Sequence, residues 1–156
     1  FFELISTMAI NWILRSFGEL STAELYAILQ LRNAVFVVEQ DCPYQDADGK
    51  DPVSWHLMGL DGDTLAAYAR LLPPGVSYRE PSIGRVVTAP SARGAGTGRQ
   101  LMEHSIQHCF ACFGGNSIRI GAQQYLEKFY TSLGFTSVGE VYLDDGIPHI
   151  EMLLQK

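Results

Sequence analysis

Apolar side chains recur at every second position in some stretches of this chain and at every third or fourth in others, and the two periods divide it into strands and helices. Ile10, Trp12 and Leu14 alternate with Asn11 and Arg15, the period of a strand with one buried face, which predicts a first strand ending near Phe17. Ser21 followed by Glu24 forms a capping box, and Leu25, Ile28, Leu29, Leu31, Val35 and Phe36 then recur with helical spacing. This predicts a helix to about Val38. Residues 55–60 and 64–72 read as two strands joined by Asp61-Gly62-Asp63, a hairpin signal, and Pro73-Pro74-Gly75 stops the second. A strand over 83–88 leads into a glycine turn, after which Leu101, Met102, Ser105, Ile106, Cys109 and Phe110 mark one face of a helix that Gly114-Gly115 ends. Residues 117–121 alternate again, 123–133 are helical with Gly134 closing them, and strands over 136–143 and 147–154 pair across Asp144-Asp145-Gly146.

The predicted order is β-α-loop-β-β-β-α-β-α-β-β, an α/β (α+β) arrangement with a mixed central sheet flanked by helices. Hairpins at both ends exclude a purely parallel, doubly wound sheet. A chain of 156 residues, 47% of them apolar, fits one domain with a substantial core. Its expected extent is 8–156, with Met8 as the natural start and residues 1–7 as a tag or upstream remnant. The net charge of −6 argues against nucleic acid as a partner. No apolar run is long enough to span a bilayer, and the apolar start lacks the basic flank and cleavage site of a signal peptide. Cys42, Cys109 and Cys112 are an odd set with no disulfide framework, which points to the cytoplasm.

Two stretches stand apart from the periodic pattern. Residues 39–54 are rich in Asp, Gly, Pro and Tyr, and a polar loop of that length is expected to be functional. Residues 86–101 run from a strand through Pro90 to glycines at 94, 96 and 98, and the backbone amides of such a turn, at the mouth of a helix, favour phosphate oxygens. Spacing separates the ligands. A Walker A loop needs Lys and then Ser or Thr after its last glycine, and here Arg99-Gln100 follow. A dinucleotide fingerprint needs Gly-x-Gly-x-x-Gly with an acid about 20 residues on, and Ser117-Ile118 stand there instead.

The remaining match, Arg93-x-x-Gly96-x-Gly98 after a strand and Pro90, resembles the acetyl-coenzyme A signature of the Gcn5-related N-acetyltransferases (GNAT). A second landmark, Gln123-x-x-Leu126-x-x-Phe129-Tyr130-x-x-x-Gly134-Phe135, is similar to that family's helix carrying a tyrosine before a Gly-Phe turn, with Gln123 where asparagine is usual. More narrowly, Arg32-Asn33-x-Val35-Phe36-Val37-Val38-Glu39-Gln40, Cys42-Pro43-Tyr44, Asp48-Gly49-x-Asp51 and Asp145-Gly146-Ile147-Pro148-His149-Ile150-x-Met152 resemble the ElaA-like branch. The resemblance covers the chain from Met8 and implies an acetyl-CoA-dependent N-acetyltransferase acting on the primary amine of a small molecule or peptide.

Acetyl transfer from a thioester to an amine sets tasks for particular residues. The pyrophosphate is assigned to the backbone of Gly94, Ala95, Gly96, Thr97, Gly98 and Arg99, with Arg93 and Arg99 as supporting charge, and the resemblance adds Gln123. It also places the pantetheine amides against Val87 and Thr88. Tyr130 is the expected general acid, since a phenol is protonated at neutral pH and can donate to the departing thiolate. Glu39, His56, Glu80, Glu140 and His149 compete as general base; His149 and Glu39 are favoured because both lie in ElaA-like motifs near element ends, and His56 comes third. Tyr44, Asp46, Asp48 and Asp51 give the 39–54 loop the choice of acceptor, their carboxylates suiting a cationic amine. His104, His108 and Cys112 recur at helical spacing but lack a complementary ligand cluster, so no metal is expected. Cys42 reads as a loop or packing residue. The sequence leaves a homodimer open. The rival readings are a non-catalytic acyl-CoA-binding sensor or interaction module of the same fold, and a dinucleotide-binding oxidoreductase.

Overall fold

The computed structural model describes residues 9–156, so Met8 and the segment 1–7, expected as a start and a remnant, lie outside the described residues. The strands are β1 (Asn11–Ser16), β2 (Trp55–Asp61), β3 (Thr64–Leu72), β4 (Ser82–Thr88), β5 (Ser117–Gln123), β6 (Thr136–Asp144) and β7 (Ile147–Gln155). The helices are α1 (Thr22–Arg32), α2 (Thr97–Phe113) and α3 (Glu127–Ser132). This is the order the periodicity predicts.

Local chemistry explains the boundaries. The Glu24 amide donates to Ser21 Oγ at 3.0 Å and the Ser21 amide to Glu24 Oε1 at 2.8 Å, closing the capping box at the start of α1. The helix departs from expectation after Arg32. Residues Asn33–Glu39 continue it as a π-helix, with the Gln40 amide donating to Val35 O at 3.1 Å. The run Val35-Phe36-Val37-Val38, β-branched and aromatic, loses rotamer freedom in an α-helix and so favours that conformation weakly. At the β6–β7 turn Asp145 and Gly146 both adopt positive φ, 48° and 77°, as a two-residue hairpin of type I′ requires.

The strands form two antiparallel sheets, β1-β2-β3-β4 and β5-β7-β6. Alternation sorts the first sheet's side chains. Leu57, Ala67, Ala69 and Leu71 face Leu101, Met102 and Cys109 of α2, together with Ile118, Ile120 and Met152 of the second sheet. Met58, Tyr68 and Val87 face the opposite way, onto Ile28 and Val35. A helix therefore covers each face, and each fully buried Leu or Met contributes about 1.5–3 kcal/mol. The expected central sheet is thus divided between β4 and β5. The Arg119 amide donates to Pro81 O at 3.0 Å where the two strands begin, and among the described residues no ladder joins them beyond it. A bulge in β4 adds to the divergence: Arg70 pairs with Gly84 and Tyr68 with Val87, leaving Arg85 and Val86 opposite Ala69, with Arg85 at φ 49°.

Candidate active site

The divergence of β4 from β5 opens a cavity of about 890 Å³, with Val87 and Thr88 on one side and Ile120, Gly121 and Gln123 on the other. Gly98, Arg93 and Glu39 stand along its wall, as do Tyr130 of α3 and His149 of β7. Val87 and Thr88 pair with Tyr68 and Ala67 on β3, so only one edge of β4 is used at this point. An extended ligand carrying amides has an unpaired strand edge to run along.

The glycine turn meets the cavity at its rim. Gly94 and Gly96 adopt φ of 87° and 76°, and Gly96 caps α2 in the left-handed region, where a side chain is disfavoured. Among the described residues, the amides of residues 94–99 reach no protein acceptor. A cluster of free N–H groups at the positive end of a 17-residue helix fits a pyrophosphate. A Cβ built on Gly94 or Gly96 would meet nothing within 4 Å, so the approach to this backbone is open. Thr97 is buried under the turn and Ala95 is exposed on it. Arg99 turns along the helix instead, its guanidinium donating to Ser132 Oγ at 3.0 Å and pairing with Glu103 at 3.2 Å.

Tyr130 is almost wholly buried, with Phe129 and Phe135 edge-on to its ring. Burial pushes its phenol up to about 12, and its hydroxyl has no protein partner among the described residues. His149 pairs across the sheet with Gln123 and Tyr142, and its ring stacks on Tyr142 at 5.8 Å. His149 Nδ1 lies 2.7 Å from Ile147 O, which can only accept, so in the neutral imidazole Nδ1 carries the proton and Nε2 the lone pair. Gln123 Nε2 reaches Gln40 Oε1 at 3.4 Å, linking β5 to the end of the π-helix.

Glu39 is bound to Arg93 by two contacts, 2.7 and 3.1 Å. The hydrogen bond from Arg93 holds its carboxyl below the usual range, which disfavours proton uptake. His56 is displaced from the list of bases altogether. It is fully buried, with Nε2 donating to Asp51 O at 3.0 Å and Nδ1 accepting from Tyr68 at 2.7 Å, and burial lowers its pKa. Glu80 pairs with Arg119 at 3.0 Å outside the cavity, and Glu140 lies exposed on β6. His104 stacks between Trp12 and His108, at 4.9 and 6.4 Å, while Cys109 is buried in the core.

The largest correction concerns the 39–54 loop. Asp46, Asp48 and Asp51 do not await a cationic acceptor, because three arginines from the scaffold already hold them. Arg32 Nε donates to Asp46 at 2.8 Å and its Nη1 to Asp51 at 2.7 Å. Arg70 grips Asp48 with two contacts of 2.8 Å and reaches Asp51 at 3.0 Å. Arg85 donates to Asp46 at 2.8 Å, and the Tyr44 ring lies 5.6 Å from its guanidinium. Burial would raise Asp48 and Asp51, but the arginine contacts outweigh it and hold both below the usual carboxylate range. Three cations against three anions leave Asp46, Asp48 and Asp51 without a net charge to offer. A signal for this network exists in the sequence: Arg70 interrupts an apolar strand and Arg32 ends an apolar helix, and buried arginines require anions. Sequence reasoning also passed over Gln40, Tyr78 and Tyr142, which line the cavity beside Cys42. The Tyr78 and Tyr142 hydroxyls converge over Gly121, where a Cβ would meet them at 2.8 and 2.7 Å.

Residues 35–156 match a family model described as an acetyltransferase (GNAT) domain. The chain is 46% identical over 145 residues to protein ElaA of Escherichia coli, covering 92% of this chain and 95% of that one. The crystal structure of Escherichia coli ElaA superimposes with a TM-score of 0.88 at 44% identity, covering 94% of this chain and 100% of that one. That of an acyl-CoA N-acyltransferase from Pseudomonas aeruginosa does so with a TM-score of 0.89 at 44% identity, covering 94% and 99%.

Proposed function

This chain belongs to the GNAT acyltransferase family, and on that premise we propose that it moves an acetyl group from acetyl-CoA to a primary amine by direct attack. The observation that carries the proposal is the cavity between β4 and β5, which places an unpaired strand edge, free helix-start amides and a buried tyrosine along one path. The amides of residues 94–99 and the Arg93 guanidinium hold the pyrophosphate, and Gln123 supports the same arm from β5. Val87 and Thr88 pair with the pantetheine amides, and a β4 amide polarises the thioester carbonyl. Tyr130 donates its proton to the thiolate as the C–S bond breaks; a phenol raised to about 12 remains protonated throughout the neutral range. The Nε2 lone pair of His149 takes the proton from the attacking amine, directly or through a water.

The acceptor is a small molecule or peptide entering by the β6–β7 hairpin. Among the described residues no helix is long and apolar enough to cross a membrane, and all three cysteines are free, which supports a cytoplasmic setting.

Thiol release from acetyl-CoA across a panel of polyamines, aminoglycosides, amino acids and peptides tests the reading. Tyr130→Phe should lower kcat at least tenfold for the responding amine while leaving acetyl-CoA affinity within about twofold. Affinity without turnover on any amine would favour the non-catalytic sensor.

A further inference from the structure

Two roles that the sequence assigns separately are joined by the structure. Arg93 is the signature arginine of the glycine turn, and Glu39 is the last residue of the π-helix, 54 positions earlier. Glu39 Oε1 accepts from Arg93 Nη1 at 2.7 Å and Oε2 from Nη2 at 3.1 Å, a fork-to-fork pairing that uses both carboxylate oxygens. Both side chains are a little over 40% exposed and both line the cavity. A carboxylate gripping a guanidinium in this way presents the same bidentate geometry as a phosphate would. The neighbouring arginine offers no substitute, because Arg99 is engaged by Ser132 and Glu103.

We propose that Glu39 is a built-in competitor for Arg93, so that occupation of the phosphate site and release of the Glu39 carboxylate into the cavity are a single exchange. The inference rests on the acyl-CoA reading of the turn. Without cofactor, Arg93 neutralises Glu39 and ties the π-helix to the turn. With cofactor, the guanidinium passes to the pyrophosphate and the carboxylate faces the acceptor end with its charge uncompensated. A cationic amine is then attracted only to a site that already holds its acyl donor, which gives an ordered encounter.

The test is a double-mutant cycle on coenzyme A affinity, read by titration calorimetry at low ionic strength with wild type, Glu39→Gln, Arg93→Gln and the pair. Both residues are exposed, so all four proteins should unfold at closely similar temperatures. Removing an exposed competitor should tighten coenzyme A about 1.5- to 5-fold in Glu39→Gln. Arg93→Gln should weaken it, and adding Glu39→Gln in that background should change nothing further. Equal tightening by Glu39→Gln in both backgrounds would mean only that a negative charge near a polyanion has been removed, and would overturn the exchange. So would an unchanged or weakened affinity in Glu39→Gln alone. Failure of the wild-type protein to bind coenzyme A would overturn the acyl-CoA reading itself and the exchange with it.

Discussion

Replacing Arg32 with Met probes the buried network that shapes one wall of the cavity. The Arg32 side chain is inaccessible to solvent, Asp46 is 3% exposed and Asp51 10% exposed, so water cannot replace a lost partner. Methionine fills most of the volume, and the Tyr68 ring, 5.8 Å from the guanidinium, packs as readily on a thioether. What is lost is charge: three arginines facing three aspartates become two facing three. Breaking a buried ion pair from one side costs about 3–5 kcal/mol. Here each carboxylate keeps a second arginine, Asp46 through Arg85 at 2.8 Å and Asp51 through Arg70 at 3.0 Å, which places the cost at the lower end, about 3 kcal/mol. For a chain of this size that corresponds to a fall of about 6–12 °C in Tm. Calorimetric unfolding of wild type, Arg32→Met and Arg32→Met with Asp46→Asn reads the effect, and the double variant should recover part of the loss by restoring neutrality. A Tm within 2 °C of wild type for Arg32→Met, or a double variant in which the losses simply add, would refute the reasoning.

Other expectations follow from the same contacts. Gly96→Ala forces an alanine to φ 76°, which costs about 1–2 kcal/mol; thermal unfolding should show a modest fall, and calorimetry a weakening of acetyl-CoA binding larger than the fall in stability predicts. His56 has a folded pKa below its unfolded value of about 6.5, so its contribution is complete above that pH and is lost as the pH falls below it. Urea unfolding between about pH 6.5 and 5 should therefore show stability rising with pH, with a slope that shrinks by up to one proton in His56→Gln; an unchanged slope would contradict the assignment. Asp48 and Asp51, held below the usual range, add a second loss only below about pH 4, and Asp48→Asn should reduce that acid sensitivity when unfolding is followed by circular dichroism.

The element order is legible in the sequence because its signals are local. Ser21 and Glu24 meet within one turn, Asp145-Gly146 makes a hairpin by its own backbone preference, and the glycines at 94 and 96 adopt the positive φ that only their spacing foretells. Tyr130 and His149 also stand in the cavity where motif position alone would send them. What escapes sequence reasoning is long-range. The gap between β4 and β5 depends on a bulge at Arg85 and on where hydrogen bonds stop, neither of which leaves a mark in hydropathy. The aspartates of the 39–54 loop look available because their partners, Arg32, Arg70 and Arg85, come from three other elements, α1 before it in sequence and β3 and β4 after it. His56 looks like a base for the same reason, until Tyr68 and Asp51 take both its nitrogens.

Amide hydrogen exchange with and without saturating acetyl-CoA tests the central claim most directly. The amides of residues 94–99 have no protein acceptor among the described residues and should exchange rapidly in the free protein. Acetyl-CoA should slow exchange in peptides covering 86–89 and 94–100 and leave the 144–147 turn unchanged. Binding confirmed by calorimetry with no protection at 94–100, or protection there by NAD and not by acetyl-CoA, would contradict the account.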